Sequence, residues 1–387
     1  MTFEYACIEC GRTYPLEAGR YLCDDCSKEQ TPEVPLRGQL EVLISGDAPH
    51  IGHGSDTRDF LPVGKEFFPS IPVGNTPLWA PHRLRRELGL KRVYLKDDAA
   101  NPTGSLKDRA SYLVAAFARQ EGISDIVVAS TGNAGSSMAG VAAAADLNVR
   151  LYLPSSAPPA KIVQAMQYGA NVIKVDGTYD EAFDQSLAYV TEHGGLSRNT
   201  AHNPLTVEGK KTVSLEIFKQ LDGQIPDIVY VPTGDGVIIS GVYKGFEDLV
   251  TLGLANKVPE IVCVQAQGSC AVARALEAGD FTAPVASDTI ADSISVDVPR
   301  GGYYALKRLQ KHSGRCVVVS DEAIVDAQRR LSSSSGLFAE PAASCAFAGL
   351  LADREAGNGP GAGDSAVVLI TGNGLKDVAT AMKGVER

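Results

Sequence analysis

The chain has 387 residues and a mass of 40.7 kDa, more than one ordinary domain contains, so its length predicts two domains. Hydrophobic residues make up 44% of the sequence and charged residues 21%, a globular composition that excludes an intrinsically disordered chain. The net charge of −10 and the pI near 5.2 argue against a nucleic-acid-binding protein, and no apolar run reaches the roughly 18–20 residues of a membrane helix.

The N-terminal segment carries four cysteines at the spacing of a metal site. It begins MTFEYACIEC, without the basic and apolar pattern of a signal peptide, so we expect a cytoplasmic protein. Two Cys-x-x-Cys pairs separated by twelve residues can supply four thiolates to a tetrahedral structural zinc, and the spacer allows a small β-hairpin with Arg20-Tyr-Leu as a strand. A ribbon without metal and a redox pair are the alternatives. The expected zinc ligands are Cys7, Cys10, Cys23 and Cys26.

After this segment come an irregular arm and then alternating strands and helices. Residues 27–75 are rich in Pro and Gly, which predicts a wrapping arm of loops and short strands. After Lys91, apolar runs of strand length alternate with helical patterns, which predicts parallel sheets covered on both faces. The expected strands are Arg92–Lys96, Ile126–Ser130, Val149–Pro154, Asn171–Val175, Ile228–Pro232, Ile261–Gln265, Cys316–Ser320 and Ala366–Thr371. The expected helices include Asp108–Glu121, Lys161–Tyr168, Tyr179–His193, Val207–Leu221 and Asp321–Ser332.

Polar, glycine-rich turns follow three of the predicted strands. They are Ser130-Thr-Gly-Asn-Ala-Gly-Ser-Ser137, Pro232-Thr-Gly-Asp-Gly236 and Thr371-Gly-Asn-Gly-Leu-Lys-Asp377. In parallel α/β folds, ligands bind beyond the carboxyl ends of the strands. Glycines let the backbone approach a ligand, and N–H groups at the start of a helix bind anions. One such turn is commonly structural, but three in one chain favour a ligand site.

Lys107 stands in the first turn of a predicted helix, within Asn101-Pro-Thr-Gly-Ser-Leu-Lys-Asp-Arg109. The helix dipole disfavours a cation at that end. The same effect lowers the pKa of an amine that must be neutral to form a Schiff base. The pattern alone leaves two interpretations open, a surface lysine paired with Asp108 and a reactive lysine.

Further motifs complete a recognisable set. They are Gly74-Asn-Thr-Pro-Leu78, Lys96-Asp-Asp98, Val207-Glu-Gly-Lys-Lys-Thr212 and Glu340-Pro-Ala342, together with the Lys107 segment and the turns after Ile126–Ala129 and Val367–Ile370. In combination they resemble threonine synthase and its relatives in the β-family (fold type II) of pyridoxal-phosphate (PLP) enzymes. The resemblance covers roughly residues 5–385, and the cysteine segment is similar to that of some threonine synthases.

This resemblance implies a tryptophan synthase β-like α/β fold with two domains built on parallel or mixed sheets. We expect a zinc-ribbon-like segment at residues 1–30 and a large PLP-binding domain at residues 31–105 with 200–387. Residues 106–199 are expected to form a small, mobile α/β domain. The resemblance also implies bound pyridoxal 5′-phosphate and a homodimer.

The resemblance assigns roles to individual residues. Lys107 is expected to hold the cofactor as a Schiff base and then to move protons, and Asn133 to hydrogen-bond the phenolic oxygen of the ring. Thr371 is expected to face the ring nitrogen, where a hydroxyl makes a milder electron sink than a carboxylate and suits elimination at Cβ or Cγ. The cofactor phosphate is expected at Thr233, Gly234, Asp235, Gly236 and Val237. The substrate carboxylate is expected at the backbone of Ser130, Thr131, Gly132, Asn133, Ala134 and Gly135.

Two positions depart from the threonine synthase pattern. The family usually has Gly-Asn-x-Gly-Asn where this chain has Gly234-Asp-Gly-Val-Ile238, and an Arg at the substrate site where this chain has Thr206. That Arg helps to hold the substrate phosphate, and a phosphate in a partly dry site needs charge-assisted partners. O-phosphohomoserine is therefore in question as the substrate. Arg300 is either a replacement anion contact or a surface arginine, and His202 either lines the pocket or makes an ordinary polar contact.

The sequence thus predicts a PLP-dependent lyase or synthase that acts on a small α-amino acid by elimination or replacement at Cβ or Cγ. Conversion of O-phosphohomoserine to threonine is the family reaction. A β-replacement enzyme like cysteate synthase, or an ammonia-lyase like threonine dehydratase or diaminopropionate ammonia-lyase, is the alternative within this class. A silent, amino-acid-binding regulatory homologue is the alternative outside it, and the intact Lys107, Asn133 and Thr371 argue against that.

Overall fold

A computed structural model describes residues 1–157 and 159–385 of the chain. The strands are β1 (Thr2–Cys7), β2 (Thr13–Tyr14), β3 (Leu40–Ser45), β4 (Leu78–Trp79), β5 (Arg92–Asp97), β6 (Asp125–Ala129), β7 (Asn148–Pro154), β8 (Asn171–Val175), β9 (Leu196–Ser197), β10 (Ile228–Pro232), β11 (Glu260–Ala266), β12 (Arg315–Val319) and β13 (Ser365–Ile370). The α-helices are α1 (His82–Leu88), α2 (Lys107–Gln120), α3 (Asn133–Ala143), α4 (Pro159–Gln167), α5 (Tyr179–His193), α6 (Leu205–Lys210), α7 (Thr212–Gln220), α8 (Val237–Thr251), α9 (Ala271–Ala278), α10 (Gly302–Lys311), α11 (Asp321–Ser335), α12 (Pro341–Glu355) and α13 (Val378–Val385).

The strands form three sheets. The largest has six strands in the order β12-β11-β10-β13-β5-β4, all parallel except for the edge strand β4. A parallel four-stranded sheet has the order β8-β7-β6-β9. The small antiparallel sheet β2-β1-β3 belongs to the N-terminal segment. The predicted α/β class with parallel and mixed sheets is confirmed.

The central strands of the six-stranded sheet explain why it is buried on both faces. Every residue of β10 (IVYVP) and of β13 (SAVVLI) is buried, the near-continuous apolar pattern of parallel strands covered by helices on two sides. On one face, α12 presents small side chains such as Ala343 and Ala346 against β10 and β11. On the other face, α8 packs with Ile239 and Val242 in a second apolar cluster.

The predicted strands from Arg92 onward are all present, with ends that differ by no more than one residue. Two predictions were wrong in detail. The expected helix Val207–Leu221 is divided into α6 and α7 at Lys211, although that residue keeps helical backbone angles (φ −57°, ψ −25°). Arg20-Tyr-Leu is not a strand, because Leu22 makes only an isolated bridge to Gln39. The small hairpin lies instead across the first cysteine pair, between β1 and β2.

All four strands of the four-stranded sheet come from the range predicted for the small domain. The domain boundaries and the mobility of that domain stay predictions. Within the described part of the chain, no helix is long and apolar enough to cross a membrane.

Candidate active site

A cleft of about 970 Å³ is lined by residues that follow β6 in the four-stranded sheet and β10 in the six-stranded sheet. Parallel α/β folds bind their ligands at such carboxyl ends of strands. The start of α2 and residues 292–298 form further walls. Most of the predicted site residues meet here: Lys107, Ser130, Thr131, Gly132, Asn133, Ala134, Thr233, Gly234, Asp235, Gly236 and Val237.

Three predicted site residues are not among the described residues that line the cleft: Gly135, Thr206 and Thr371. Thr206 is fully buried, and its hydroxyl donates to the carbonyl oxygen of Asn203 at 2.7 Å. Thr371 directly follows β13, and its carbonyl oxygen accepts from the N–H of Leu106 at 2.9 Å, which ties the strand to the start of α2. The substrate contact expected at Thr206 and the ring contact expected of Thr371 stay predictions.

Lys107 is the first residue of α2, and its ammonium has no hydrogen-bond or ion-pair partner within the described chain. Burial lowers the pKa of the Lys107 amine; Glu340 opposes this effect and Arg198 adds to it. A neutral primary amine is the form that attacks an aldehyde. The structure does not pair Lys107 with Asp108, whose carboxylate instead accepts from the N–H of Thr103 at 2.8 Å.

A buried charge network fixes the start of α2. Arg109 Nε donates to Asp98 Oδ2 and Arg109 Nη1 to Glu216 Oε1, both at 2.6 Å. Lys96 Nζ, on β5, donates to Glu216 Oε2 at 2.6 Å. Because a buried charge is costly unless it is paired, this network holds α2 in one position against the six-stranded sheet. Lys107, two residues before Arg109, is positioned with it.

The turn after β6 leaves room for a ligand. Gly132 lines the cleft, and a Cβ built on it meets no atom within 4 Å, so a side chain there would occupy space that a ligand can use. The next residue, Asn133, begins α3. The first N–H groups of a helix lack intrahelical acceptors and attract anions such as a carboxylate.

The Asn133 amide is held against a buried carboxylate. Its Nδ2 donates to Glu340 Oε1 at 3.0 Å and Oε2 at 3.1 Å, and to Ser293 Oγ at 3.2 Å. Burial raises the pKa of the Glu340 carboxyl, while the Asn133 amide and the Lys107 amine lower it. Glu340 thus both hydrogen-bonds Asn133 in the cleft wall and interacts electrostatically with Lys107. The hydrogen bond from Asn133 to the cofactor ring stays a prediction.

The turn after β10 is a tight glycine loop that leads into α8. Gly236 caps the helix with φ +86°, and a Cβ on Gly234 would lie 2.6 Å from the Cα of Ile294, so neither position accepts a side chain without movement. The helix start that follows is suited to a phosphate. Asp235 Oδ1 accepts from the N–H of Arg300 at 2.6 Å, and burial raises the pKa of Asp235 to about 6, with Arg300 opposing.

Two buried cations beside Lys107 were missed by the sequence reasoning. Lys210 lines the cleft and donates from Nζ to the carbonyl oxygen of Thr206 at 2.9 Å. Arg198 donates to Thr200 Oγ1 at 2.7 Å, and its Nη2 is buried without a partner among the described residues. Burial lowers the pKa of Lys210, and the nearby Arg198 and Lys107 lower it further. Lys210 lies in the motif Val207–Thr212, which contributed only to the family resemblance. Its position four residues after Thr206, on the same side of a helix, was the one sequence feature that could have placed it near the substrate site.

His202 and Arg300 both line the cleft. Burial lowers the pKa of His202 to about 4, with Arg300 adding to the effect, and its Nδ1 is buried without a partner in the described chain. The Arg300 guanidinium pairs with Asp180 of α5 and lies 4.2 Å from the ring centre of Phe183. Arg300 therefore links the large sheet to the helix beside the small sheet. Its guanidinium is already occupied by these two side chains.

The N-terminal segment and arm also line the cleft, which the sequence did not predict. Their contributing residues are Leu22, Ser27, Gln30, Thr31, Pro32 and Leu36.

The four N-terminal thiols form a cluster that fits a tetrahedral metal ion. The sulfur atoms of Cys7, Cys10, Cys23 and Cys26 all lie within 4.8 Å of one another, and those of Cys10 and Cys23 are 3.7 Å apart. Zn–S bonds of about 2.3 Å place tetrahedral sulfurs about 3.8 Å apart. Burial raises the pKa of the Cys23 thiol, but the N–H of Cys26 and the Tyr14 hydroxyl outweigh it and lower the pKa to about 6. A thiolate is the form that binds metal.

Comparison with known proteins identifies the family. Residues 70–372 match the pyridoxal-phosphate dependent enzymes. The threonine synthase of Methanocaldococcus jannaschii is 34% identical over 98% of this chain and 94% of its own length. That of Methanosarcina acetivorans is 31% identical over the same shares. The chain belongs to the pyridoxal-phosphate-dependent enzymes. Within this family it is a threonine synthase-like PLP-dependent lyase.

Solved structures of PLP enzymes share its fold. Threonine deaminase isoform 2 from Solanum lycopersicum has a TM-score of 0.72 at 22% identity, with 89% of this chain and 98% of that one covered. Maize serine racemase has a TM-score of 0.69 at 23% identity, with 81% and 92% covered. The predicted fold type II is confirmed. The cleft fits the PLP cofactor of the family, since it offers the unpaired Lys107 amine, the open turn at Gly132 and the helix start after Gly236.

Proposed function

We propose that this PLP enzyme converts O-phosphohomoserine and water to threonine and inorganic phosphate. The observation that carries the proposal is a pair of buried basic side chains near Lys107: Lys210, which lines the cleft, and Arg198, which lies close enough to lower the pKa of both lysines. Threonine synthases at 31–34% identity over most of the chain support the same reaction. A phosphate in the substrate side chain is an anionic partner for these basic side chains and favours their charged form.

Lys210 supplies the charge that is absent at Thr206. It lies one helical turn further along α6, and its Nζ is bonded to the Thr206 carbonyl oxygen at 2.9 Å. An ammonium has three donors, so two remain for a ligand. Binding of a phosphate dianion favours the charged form of the amine, which offsets the effect of burial on its pKa. Charge-assisted hydrogen bonds of this kind are about twice as strong as neutral ones.

The other predicted site residues have separate tasks in this proposal. When bound, PLP supplies an electron sink for the bonds at the substrate α-carbon. Lys107 Nζ carries the cofactor and moves the proton at that carbon. The turn Ser130–Gly135 orients the substrate carboxylate, and residues 233–237 bind the cofactor phosphate. Thr371 faces the cofactor ring.

The test is phosphate release from O-phospho-L-homoserine, with threonine identified by mass spectrometry and the cofactor absorbance followed in the same sample. Equal amounts of phosphate and threonine are expected. A protein that binds PLP but releases no phosphate refutes the proposal. Lys107→Ala is the inactive control.

An ammonia-lyase or β-replacement enzyme is the second candidate, and the two departures from the family pattern favour it. Thr206 carries no charge, and Asp235 adds a carboxylate to the loop expected to bind the cofactor phosphate. In this case L-serine, L-threonine or 2,3-diaminopropionate yields ammonia and a 2-oxo acid, or O-phosphoserine with sulfite yields cysteate. Formation of a 2-oxo acid or of cysteate, by a protein that makes no threonine from O-phosphohomoserine, would support this second candidate.

Three further expectations belong to this proposal. Cys7, Cys10, Cys23 and Cys26 bind a structural zinc, the chain forms a homodimer in the cytoplasm, and residues 106–199 move as a unit when substrate binds. Metal analysis of reduced protein, with about one zinc per chain expected, and the mass in solution test the first two.

A further inference from the structure

The segment that carries the four cysteines also contributes residues to the wall of the cleft. Leu22 and Ser27 line the cleft directly. Leu22 precedes Cys23 and Ser27 follows Cys26, so the second cysteine pair is enclosed by two cleft residues. The arm that continues from it adds Gln30, Thr31, Pro32 and Leu36 to the same wall.

The second cysteine pair is tightly coupled to this wall. The N–H and the hydroxyl of Ser27 both donate to the carbonyl oxygen of Cys23, at 3.2 and 2.7 Å. The N–H of Cys23 donates to the carbonyl oxygen of Gly38 at 2.8 Å. Gly38 has φ +69°, and a Cβ there would lie 2.8 Å from the Ser27 nitrogen, so these backbones are in close contact. A shift of Cys23 therefore shifts Ser27.

The same segment contacts both sides of the cleft. The Tyr21 hydroxyl accepts from the N–H of Ser197 on β9 at 2.8 Å, and the Tyr21 ring lies 4.6 Å from that of His202. On the other side, the N–H of Leu36 donates to the carbonyl oxygen of Arg300 at 3.0 Å. The wall thus runs from the small sheet to the loop that holds Asp235.

Apart from the cysteines, few strong interactions hold the outer part of this wall. Residues 26–29 form one turn of 3-10 helix without a buried residue. The ion pairs of Asp25 with Arg12 and Lys28 and of Arg37 with Glu29 are at the surface, where such pairs contribute about 0–1 kcal/mol. One partly buried pair, Arg37 with Glu9 at 2.8 Å, lies at the end of the arm. A small segment of this kind depends on its metal for a fixed structure.

We propose that metal binding by the four cysteines sets the affinity of the cleft for its amino-acid substrate, through the wall formed by residues 22–36. The metal holds Leu22 and Ser27 in place, and the arm that follows closes the cleft over the substrate side chain. The cofactor contacts come from other elements and do not depend on the metal. This proposal rests on the cleft being the amino-acid site proposed above.

The first experiment compares zinc-loaded protein with protein treated with a chelator under reducing conditions. Dissociation constants for L-serine and L-threonine are measured from the change in cofactor absorbance, and the KM for O-phospho-L-homoserine is measured from phosphate release. Hydrogen exchange of peptides within residues 22–36 is followed in parallel. Metal removal is expected to weaken amino-acid binding about tenfold or more and to speed exchange in this segment, with PLP content unchanged.

A variant tests the wall with the metal in place. Gln30 Oε1 accepts from the N–H of Arg37 at 2.8 Å, and its Nε2 donates to the carbonyl oxygen of Val34 at 3.3 Å, so Gln30→Ala loosens the arm and leaves the cysteines intact. It is expected to keep its zinc and to bind the amino acid several-fold more weakly. Gln310→Ala is the matched control, since Gln310 is exposed on α10 and bonded to Gly279.

The outcomes are distinct. Equal dissociation constants with and without metal, or a Gln30→Ala variant that behaves like Gln310→Ala, overturn the proposal, as does protein that cannot be loaded with metal. If metal removal also releases PLP, the Gln30→Ala comparison decides. If no amino acid changes the cofactor absorbance of zinc-loaded protein, the proposed function has failed instead.

Discussion

Replacement of Lys210 by glutamine tests the assignment of the substrate phosphate. Glutamine keeps a donor for the Thr206 carbonyl oxygen, now 2.9 Å from Nζ, and removes the charge. A hydrogen bond to a charged group contributes about 1.5–3 kcal/mol, and each 1.4 kcal/mol is about a factor of ten in affinity. We therefore expect the KM for O-phosphohomoserine to rise about 10- to 100-fold in Lys210→Gln.

The assay must separate a lost phosphate contact from a disturbed cleft. Initial rates with O-phosphohomoserine give KM and kcat, and the cofactor absorbance gives the affinity for L-serine, which has no phosphate. We expect the affinity for L-serine to stay within about twofold, because Lys210 contributes to it only through the shape of the cleft. Lys311→Gln, at an exposed lysine paired with Glu247, controls for the change in net charge. If Lys210→Gln weakened binding of O-phosphohomoserine and of L-serine by the same factor, the assignment would be refuted.

Three further changes test the supporting elements of the site. Lys107→Ala is expected to abolish turnover and covalent attachment of PLP, and borohydride reduction that traps the cofactor on a different lysine would show that the reactive amine is elsewhere. Arg109→Ala removes the buried cation that pairs with Asp98 and leaves Glu216 with Lys96 alone, so urea unfolding should show a loss of about 3–5 kcal/mol. Arg83→Ala at an exposed pair should lose under about 0.5 kcal/mol. The pKa of His202 falls from 6.5 to about 4 in the fold. Its contribution to stability is therefore present above pH 6.5 and is lost as the pH falls toward 4, by up to about 3 kcal/mol. His202→Asn should remove this part of the pH dependence of unfolding, and identical pH profiles for the two proteins would contradict the prediction.

The sequence predicted the parts of the site that follow from local pattern and chemistry. Apolar runs of strand length placed β10 and β13 correctly, and the glycine turns after them marked the carboxyl ends where ligands bind. Lys107 was singled out because a lysine at the start of a helix conflicts with the helix dipole, and the motifs around it gave its role through the family resemblance. Such features need only the residues adjacent in the chain.

The features that were missed depend on contacts between distant parts of the chain. Apart from its spacing of four residues from Thr206, Lys210 resembles an ordinary helix residue, and its burial near Arg198 and Lys107 gives it a role. The arm was expected to wrap the fold, but its place at the cleft follows from two contacts, Tyr21 with Ser197 and Leu36 with Arg300, that no local pattern encodes. The division of Val207–Leu221 at Lys211 was likewise invisible, because the apolar periodicity continues across it.

Asp235 raises the remaining question of how a carboxylate can stand in the loop that we propose binds the cofactor phosphate. Burial already raises the pKa of Asp235 to about 6, and a phosphate dianion nearby raises it further, so the neutral acid is the form compatible with bound cofactor. It follows that PLP affinity should fall as the pH rises above 6, because a proton must be taken up on binding. Asp235→Asn keeps the acceptor for the N–H of Arg300 and has no proton to gain. Titrations of PLP between pH 5.5 and 8 should therefore show a steeper loss for the native protein than for Asp235→Asn. Parallel curves would mean that the phosphate lies away from this side chain.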